Sequence, residues 1–264
     1  MTQESQPRRQ VAVLPEDLAD PVSYWQRSAQ GFIRHIEGES GGDGRLIRDA
    51  VLHPRMLDHL GDVQGQTVLD IGGGDGILSR ELTGKGARVV NGDFIFDIVK
   101  QTLRTEPRVP SVQLSAAETL PFPNSQFDKA VSNLLLMWLP EVRTIARETY
   151  RVLKPGGRLV ASITHPMVNL GEFDLSQPDQ PMLKLQAPLA GGVWLKMINE
   201  TNGPYPYYQR SPAEYVNTFT KTGFRLVPGH GYDDVFFPDD FVARHPQYLK
   251  HQWYPLFLIL SFEK

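Results

Sequence analysis

The residues best suited to chemistry stand in one run, Val68-Leu69-Asp70-Ile71-Gly72-Gly73-Gly74-Asp75-Gly76. A β-prone stretch breaks there into a glycine-rich turn, and apolar helical spacing follows. At the carboxyl end of a strand such a turn opens a crevice for a nucleotide, because glycine brings the backbone to the ligand with no Cβ in the way. Two nucleotide classes fail on spacing. A dinucleotide fingerprint, G-x-G-x-x-G counted from Gly72, needs glycine at position 77, where Ile77 stands. The Gly-Lys-Ser/Thr ending of a phosphate-binding loop is missing from this turn.

The pattern present is Asp70-x-Gly72-x-Gly74-x-Gly76. An acid just before the glycines repels a pyrophosphate and suits a ligand with a cationic amino group and no phosphate. S-adenosyl-L-methionine, which becomes S-adenosyl-L-homocysteine on giving up its methyl group, is such a ligand. Asp93 ends the next apolar stretch, where an acid takes the two ribose hydroxyls. This acid is common to dinucleotide and S-adenosylmethionine sites and does not discriminate between them. Phe94 follows it, placed to lie against an adenine face.

These residues need a sheet to hold them. From position 67 short apolar runs alternate with helical stretches, the signature of βαβ units and a parallel sheet. Strands are expected over 67–71, 87–91, 112–114, 128–132 and 158–163, with helices over 77–82, 95–104 and 141–152. Residues 1–62 read as a helical cap, with Asp20-Pro21 as an N-cap and first-turn proline. Residues 165–210 are rich in proline and aromatics and read as a lid inserted after the fifth strand. A helix over 212–222 and strands over 224–228 and 256–262 complete the sheet. The stretch from Asp233 to Lys250 fits no element well, and its acidic pairs Asp233-Asp234 and Asp239-Asp240 read as a solvated loop.

Composition sets the outer bounds. The 264 residues, 41% hydrophobic and 10% aromatic with a net charge of −3, describe an ordinary folded domain and not a nucleic-acid binder that neutralises many phosphates. Zero cysteines exclude a disulfide scaffold, a thiolate metal site and a cysteine nucleophile. A polar N-terminus without a signal-peptide core, and no apolar run long enough to span a bilayer, lead to an expected cytoplasmic protein with no membrane or nucleic-acid partner. A homo-oligomer stays open.

Four segments together resemble the class I S-adenosylmethionine-dependent methyltransferases, especially the ubiquinone-biosynthesis-like and secondary-metabolism small-molecule group. They are Val68 to Gly76, Gly92-Asp93, Ala117-Glu118-Thr119-Leu120-Pro121-Phe122 with Phe127-Asp128, and Glu148 to Gly157. The resemblance implies an α/β fold: a seven-stranded, mostly parallel, Rossmann-like sheet in a single domain spanning 1–264. The cofactor-binding core would cover 63–164 and the sheet would be completed by 211–264. It places Asp70, Gly72, Gly74 and Gly76 along the methionine and ribose, Asp93 on the ribose, Ala117 and Glu118 beside adenine, and Asn133 beside the methyl group. Arg48 resembles a cap arginine that meets the cofactor carboxylate. Two departures stand out. Ala116 replaces an acid frequent before the Ala-Glu pair, and His53 stands where relatives often carry Asp.

Methyl transfer from a sulfonium is an in-line displacement from an activated donor. Positioning therefore supplies much of the rate and a general base is optional. His53, His165 and Glu200 are the candidate bases, each weighed against a packing or surface role. His35, His230, His245 and His251 lack metal-type spacing and are taken as surface or packing residues. Aromatics concentrate in the cap and lid, at Tyr24-Trp25, Trp138, Trp194, Tyr205, Tyr207-Tyr208 and Trp253-Tyr254. Such walls suit a flat acceptor and a cation, with Tyr24 the preferred pocket member. The expected reaction is methylation of a small aromatic or heteroaromatic metabolite, indole-type included, at nitrogen, oxygen or carbon. The rival readings are a protein or RNA methyltransferase and a non-catalytic S-adenosylmethionine-binding protein.

Overall fold

Strand β2 (Thr67–Ile71), buried from Val68 to Ile71, has a parallel partner on each side. In the computed structural model, which describes residues 9–11, 25, 44–105, 107–168, 171–177, 181–185, 191–197 and 204–264, it sits inside an eight-stranded sheet. The parallel strands are β3 (Arg88–Asp93), β4 (Ser111–Gln113), β5 (Phe127–Asn133) and β6 (Leu153–Thr164), in the order β4-β3-β2-β5-β6. Strand β13 (Phe257–Glu263) pairs antiparallel with β6 and carries β11 (Arg225–Leu226) and β12 (Tyr232–Val235) as antiparallel partners. The sheet thus has one strand more than the seven expected. The extra strand is β12, in the stretch that the sequence left unplaced.

The helices between strands follow the expected pattern: α3 (Ile77–Gly84), α4 (Phe96–Thr105), α5 (Arg143–Val152) and α6 (Pro212–Lys221). Ser211 caps α6, its hydroxyl accepting from the Glu214 N–H, with Pro212 in the first turn. The Lys154-Pro155-Gly156-Gly157 stretch belongs to the start of β6. Phe127 pairs with Leu153, the register slips, and pairing resumes at Lys129 with Arg158.

Among the described residues of the cap, α1 (Gly44–Ile47), a π turn over Arg48–Leu52 and α2 (His53–Leu60) form a continuous helical path. Pro54 explains the wide turn. Its ring crowds the preceding turn and it has no N–H to give, so the His53 N–H reaches back five residues to the Arg48 carbonyl. The 1–62 segment is not wholly helical, since β1 (Arg9–Val11) pairs with lid strand β9 (Gly192–Met197). The described residues of the lid are largely strands. Strand β9 also pairs with β10 (Pro204–Gln209), and β7 (Gly171–Asp174) forms a hairpin with β8 (Met182–Leu185).

Two apolar layers flank the sheet. One gathers Leu69, Leu136, Ile145, Leu159, Tyr215 and Phe262 beneath α5 and α6; the other joins Leu52, Met56 and Leu60 of the cap to Val68, Val160 and Ile259. Asp233 is not in a solvated loop, as read from the sequence. It lies on β12 and takes bonds from Arg55 (Nη2 at 3.0 Å) and from the buried His59 (Nε2 at 3.0 Å), while His59 Nδ1 meets Ser261 Oγ at 2.8 Å. That network pins α2 to the antiparallel edge. No helix among the described residues is long and apolar enough to cross a membrane.

Candidate cofactor and acceptor site

The glycine turn leaves β2 with Gly72, Gly74 and Gly76 all at positive φ, and Gly76 is the left-handed residue from which α3 starts. The tightest position is Gly73, which the alternating pattern passed over. A Cβ there would fall 2.0 Å from Asn91 Oδ1 and 2.6 Å from Asp70 Cγ, so only glycine fits. Gly72 is closed from the other side, where a Cβ would meet the Leu135 side chain at 2.9 Å.

Asp93 closes the cradle from β3. Its Oδ2 accepts the Gly74 N–H at 3.0 Å and its Oδ1 accepts the Ile95 N–H at 2.9 Å, which fixes the carboxylate plane. Asn91 Nδ2 and Thr102 Oγ1 both donate to the Gly74 carbonyl, at 3.3 and 3.1 Å. These two supports escaped the sequence reading because neither residue type marks a ligand contact. Asp70 is fully buried. Ser79 Oγ donates to its Oδ2 at 2.7 Å, and its Oδ1 has no partner among the described residues.

The electrostatics are those of a cation site. Burial lifts the Asp70 carboxyl to about 7, opposed by Ser79 and reinforced by the nearby charges of Asp93 and Asp75. Asp75 and Asp93 are raised as well, burial leading in both. Three acids desolvated together are relieved by a positive ligand and made worse by a phosphate. Facing them is Arg48, whose charge pulls Asp75 down and whose buried Nε has no hydrogen-bond partner among the described residues. A buried guanidinium N–H without an acceptor carries a desolvation penalty that a carboxylate ligand removes. An amino-acid end with ammonium and carboxylate fits both halves of this arrangement. The residues therefore fit S-adenosylmethionine.

At the carboxyl end of β5, Asn133 joins three elements. Ser162 Oγ of β6 donates to its Oδ1 at 2.7 Å, and its Nδ2 donates to His53 Nε2 of the cap at 3.1 Å. His53 is buried, which lowers it to about 4 despite Asp49, so it is neutral with its proton on Nδ1. His165 lies beyond β6 and turns the other way. Its Nδ1 accepts the Met167 N–H and its Nε2 faces Asp234 Oδ1 on β12, both at 3.1 Å. Both ring nitrogens are engaged, and burial lowers this histidine too.

Ala117 and Glu118 are exposed on a turn after β4, where Ser115 Oγ accepts the Ala117 N–H. Phe94 is half-buried and packs with Trp25 against Ile95 and Ile98. The structure thus brings Arg48, Asp70, the glycines, Asp93, Asn133 and His53 to one end of the sheet, with His165 turned toward the antiparallel edge. Tyr24 and Glu200 lie outside the described residues.

A family model described as a methyltransferase domain matches residues 69–161, from β2 through most of β6. Over this stretch the chain is similar to a methyltransferase domain. The match holds the glycine turn, Asp93 and Asn133. A demethylmenaquinone methyltransferase of Lactococcus lactis is 29% identical over 187 residues, 66% of this chain and 71% of that one. Other curated methyltransferases match at 31–37% identity, and the chain spans 28–66% of their length. Among solved structures, an S-adenosylmethionine-dependent methyltransferase from Mesorhizobium loti superposes with a TM-score of 0.70, at 20% identity over 80% of this chain and 96% of that one. A Burkholderia thailandensis 1,6-didemethyltoxoflavin N1-methyltransferase, solved with 1,6-didemethyltoxoflavin and S-adenosylhomocysteine, superposes at 0.55, with 19% identity over 100% of this chain and 98% of that one. The chain therefore shares the Rossmann-like fold of these solved structures.

Proposed function

We propose that this chain transfers a methyl group from S-adenosylmethionine to a small, flat aromatic or heteroaromatic acceptor held between the glycine turn and the β9–β10 lid. The observation that carries the reading is a series of rings centred on the turn that follows Asn133. Trp138, on the 3-10 turn Leu136–Trp138 that follows β5, meets Trp25 edge to face at 5.8 Å and Tyr207 of the lid at 5.6 Å. Edge-to-face walls of this kind hold a planar ligand by area and by ring electrostatics. The Lactococcus relative is named for a demethylmenaquinone substrate, and the Burkholderia neighbour was solved with 1,6-didemethyltoxoflavin, both in keeping with this class.

S-adenosylmethionine, when bound, supplies an already activated methyl group. The chain's own work is then to bind and to orient. Arg48 takes the carboxylate, Asp70 with Asp75 provides the negative field for the cationic end, and Asp93 takes the ribose hydroxyls. Glu118 and Phe94 flank the base, and the aromatic lid excludes water. Asn133 and the neutral His53 position the acceptor side. His53 takes up a proton only if the acceptor atom displaces Asn133 from Nε2. Roles for Tyr24 and Glu200 rest on their sequence positions in the cap and lid.

The test is calorimetric titration with S-adenosylhomocysteine beside NAD, followed by labelled-methyl transfer to a panel of aromatic metabolites. Micromolar binding of S-adenosylhomocysteine alone is expected. Asp93→Ala should weaken it at least tenfold, whereas His245→Ala leaves it unchanged. NAD binding in its place, or equal effects of the two substitutions, overturns the reading.

A further inference from the structure

Lid residue Gln209 is 2% exposed, and neither its Oε1 nor its Nε2 has a hydrogen-bond partner among the described residues. Leaving a buried carboxamide with both ends unpaired carries a desolvation penalty that a fold keeps only for a reason. The indole N–H of Trp194 is buried and unpaired in the same way. The register explains why these groups belong together. Trp194 pairs with Tyr207 and Gly192 with Gln209, so Trp194, Tyr207 and Gln209 share one face of the β9–β10 pair. Gly192, opposite Gln209, has no side chain to cover the amide. Tyr207 on that face meets Trp138, which ties the face to the turn beyond Asn133.

We infer that Gln209 and Trp194 read the polar edge of the acceptor, and that this edge is a neutral cyclic amide: a ring N–H beside a ring carbonyl. The inference rests on the aromatic-acceptor reading above and narrows it. A carboxamide presents one acceptor and one donor in a plane, matching a lactam edge with two parallel bonds. Oε1 accepts the ring N–H and Nε2 donates to the ring carbonyl. The Trp194 N–H then serves a second ring acceptor. A charged edge suits these groups less, because the nearest cation in sequence is already committed. Arg210 donates to the carbonyls of Leu136 (3.3 Å), Leu139 (2.7 Å) and Pro140 (2.6 Å).

The experiment uses the full chain loaded with S-adenosylhomocysteine and titrated with lumazine, a flat bicycle with lactam edges, beside 1,3-dimethyllumazine, whose ring N–H groups on that edge are methylated. Lumazine is expected to bind at least tenfold more tightly, and Gln209→Leu to abolish that difference while S-adenosylhomocysteine affinity stays at the wild-type level. Trp194→Phe should weaken lumazine about threefold to tenfold. A second readout needs no acceptor. In ligand-free protein Gln209→Leu should raise the melting temperature by about 2–4 °C, because it removes a buried unpaired amide. Equal binding of the two ring systems, no binding of lumazine, or a fall in melting temperature with Gln209→Leu overturns the inference. Failure of the wild type to bind S-adenosylhomocysteine at all instead defeats the methyl-transfer reading beneath it.

Discussion

The side-chain amide of Asn133 donates to the buried Nε2 of His53 at 3.1 Å, joining the end of a core strand to the first turn of a cap helix 80 positions earlier in the chain. One bond thereby couples the sheet, where the glycine turn sits, to the helical path carrying Arg48.

Because burial lowers His53 to about 4, it is neutral through the physiological range. NMR titration of its ring should give a midpoint near 4, and the kcat/KM profile should show no limb at pH 6–7 from this residue. Asn133→Ala removes the donor that favours the neutral ring and lets water in, so the midpoint should move up. An unchanged midpoint would show that the bond does not set the protonation state.

Asp70 ties ligand binding to pH. Its folded value is raised to about 7 from the ordinary 3.8. In ligand-free protein, stability from this group therefore falls as pH climbs through that window. A cationic ligand favours the carboxylate and expels the proton. S-adenosylhomocysteine titrations at about pH 6.5, run in two buffers of different ionisation enthalpy, should report proton release that shrinks by about pH 8. Proton uptake on binding would contradict the cation-site reading.

Gly73→Ala places a methyl group against Asn91 and Asp70 and should cost about 1–3 kcal/mol of stability together with most of the cofactor affinity. Gly84→Ala is the control. Nothing lies within 4 Å of its added Cβ at the end of α3, and the helix should gain about 0.5–1 kcal/mol. Chemical denaturation and calorimetry read both, and matching outcomes would mean the turn is looser than described.

The Arg55–Asp233–His59 network should act on stability and not on binding. The hydrogen bond from His59, assisted by Arg55, holds the Asp233 carboxyl below its usual range against the effect of burial. Its contribution is present above the ordinary carboxylate value and is lost as pH falls through the lowered one. Asp233→Ala should cost about 1–3 kcal/mol at neutral pH, less in acid, with S-adenosylhomocysteine affinity unchanged. Urea unfolding at pH 7 and about pH 3 would distinguish this from a pH-independent packing loss.

The strand–turn–helix half of this protein was legible in the sequence because its determinants are local. The glycine turn, Asp93 and the alternation of strand and helix are matters of backbone freedom and short-range periodicity, and those fix α3 and β3 around Asp70. Even the resemblance of two distant segments has a physical core: Arg151 donates to the carbonyls of Leu120 and Phe122, and Glu148 accepts the Leu120 N–H. What only the tertiary structure decided is which polar groups meet and which are left over. Asp233 looked like solvated acid until β12 placed it against His59, whose sequence position carried no signal. Gln209 is one more polar residue in a lid until the β9–β10 register buries it opposite Gly192 with both ends unpaired. Burial and pairing depend on contacts between elements far apart in the chain, and a hydropathy pattern reports only that a residue is polar, not whether the fold has given it a partner.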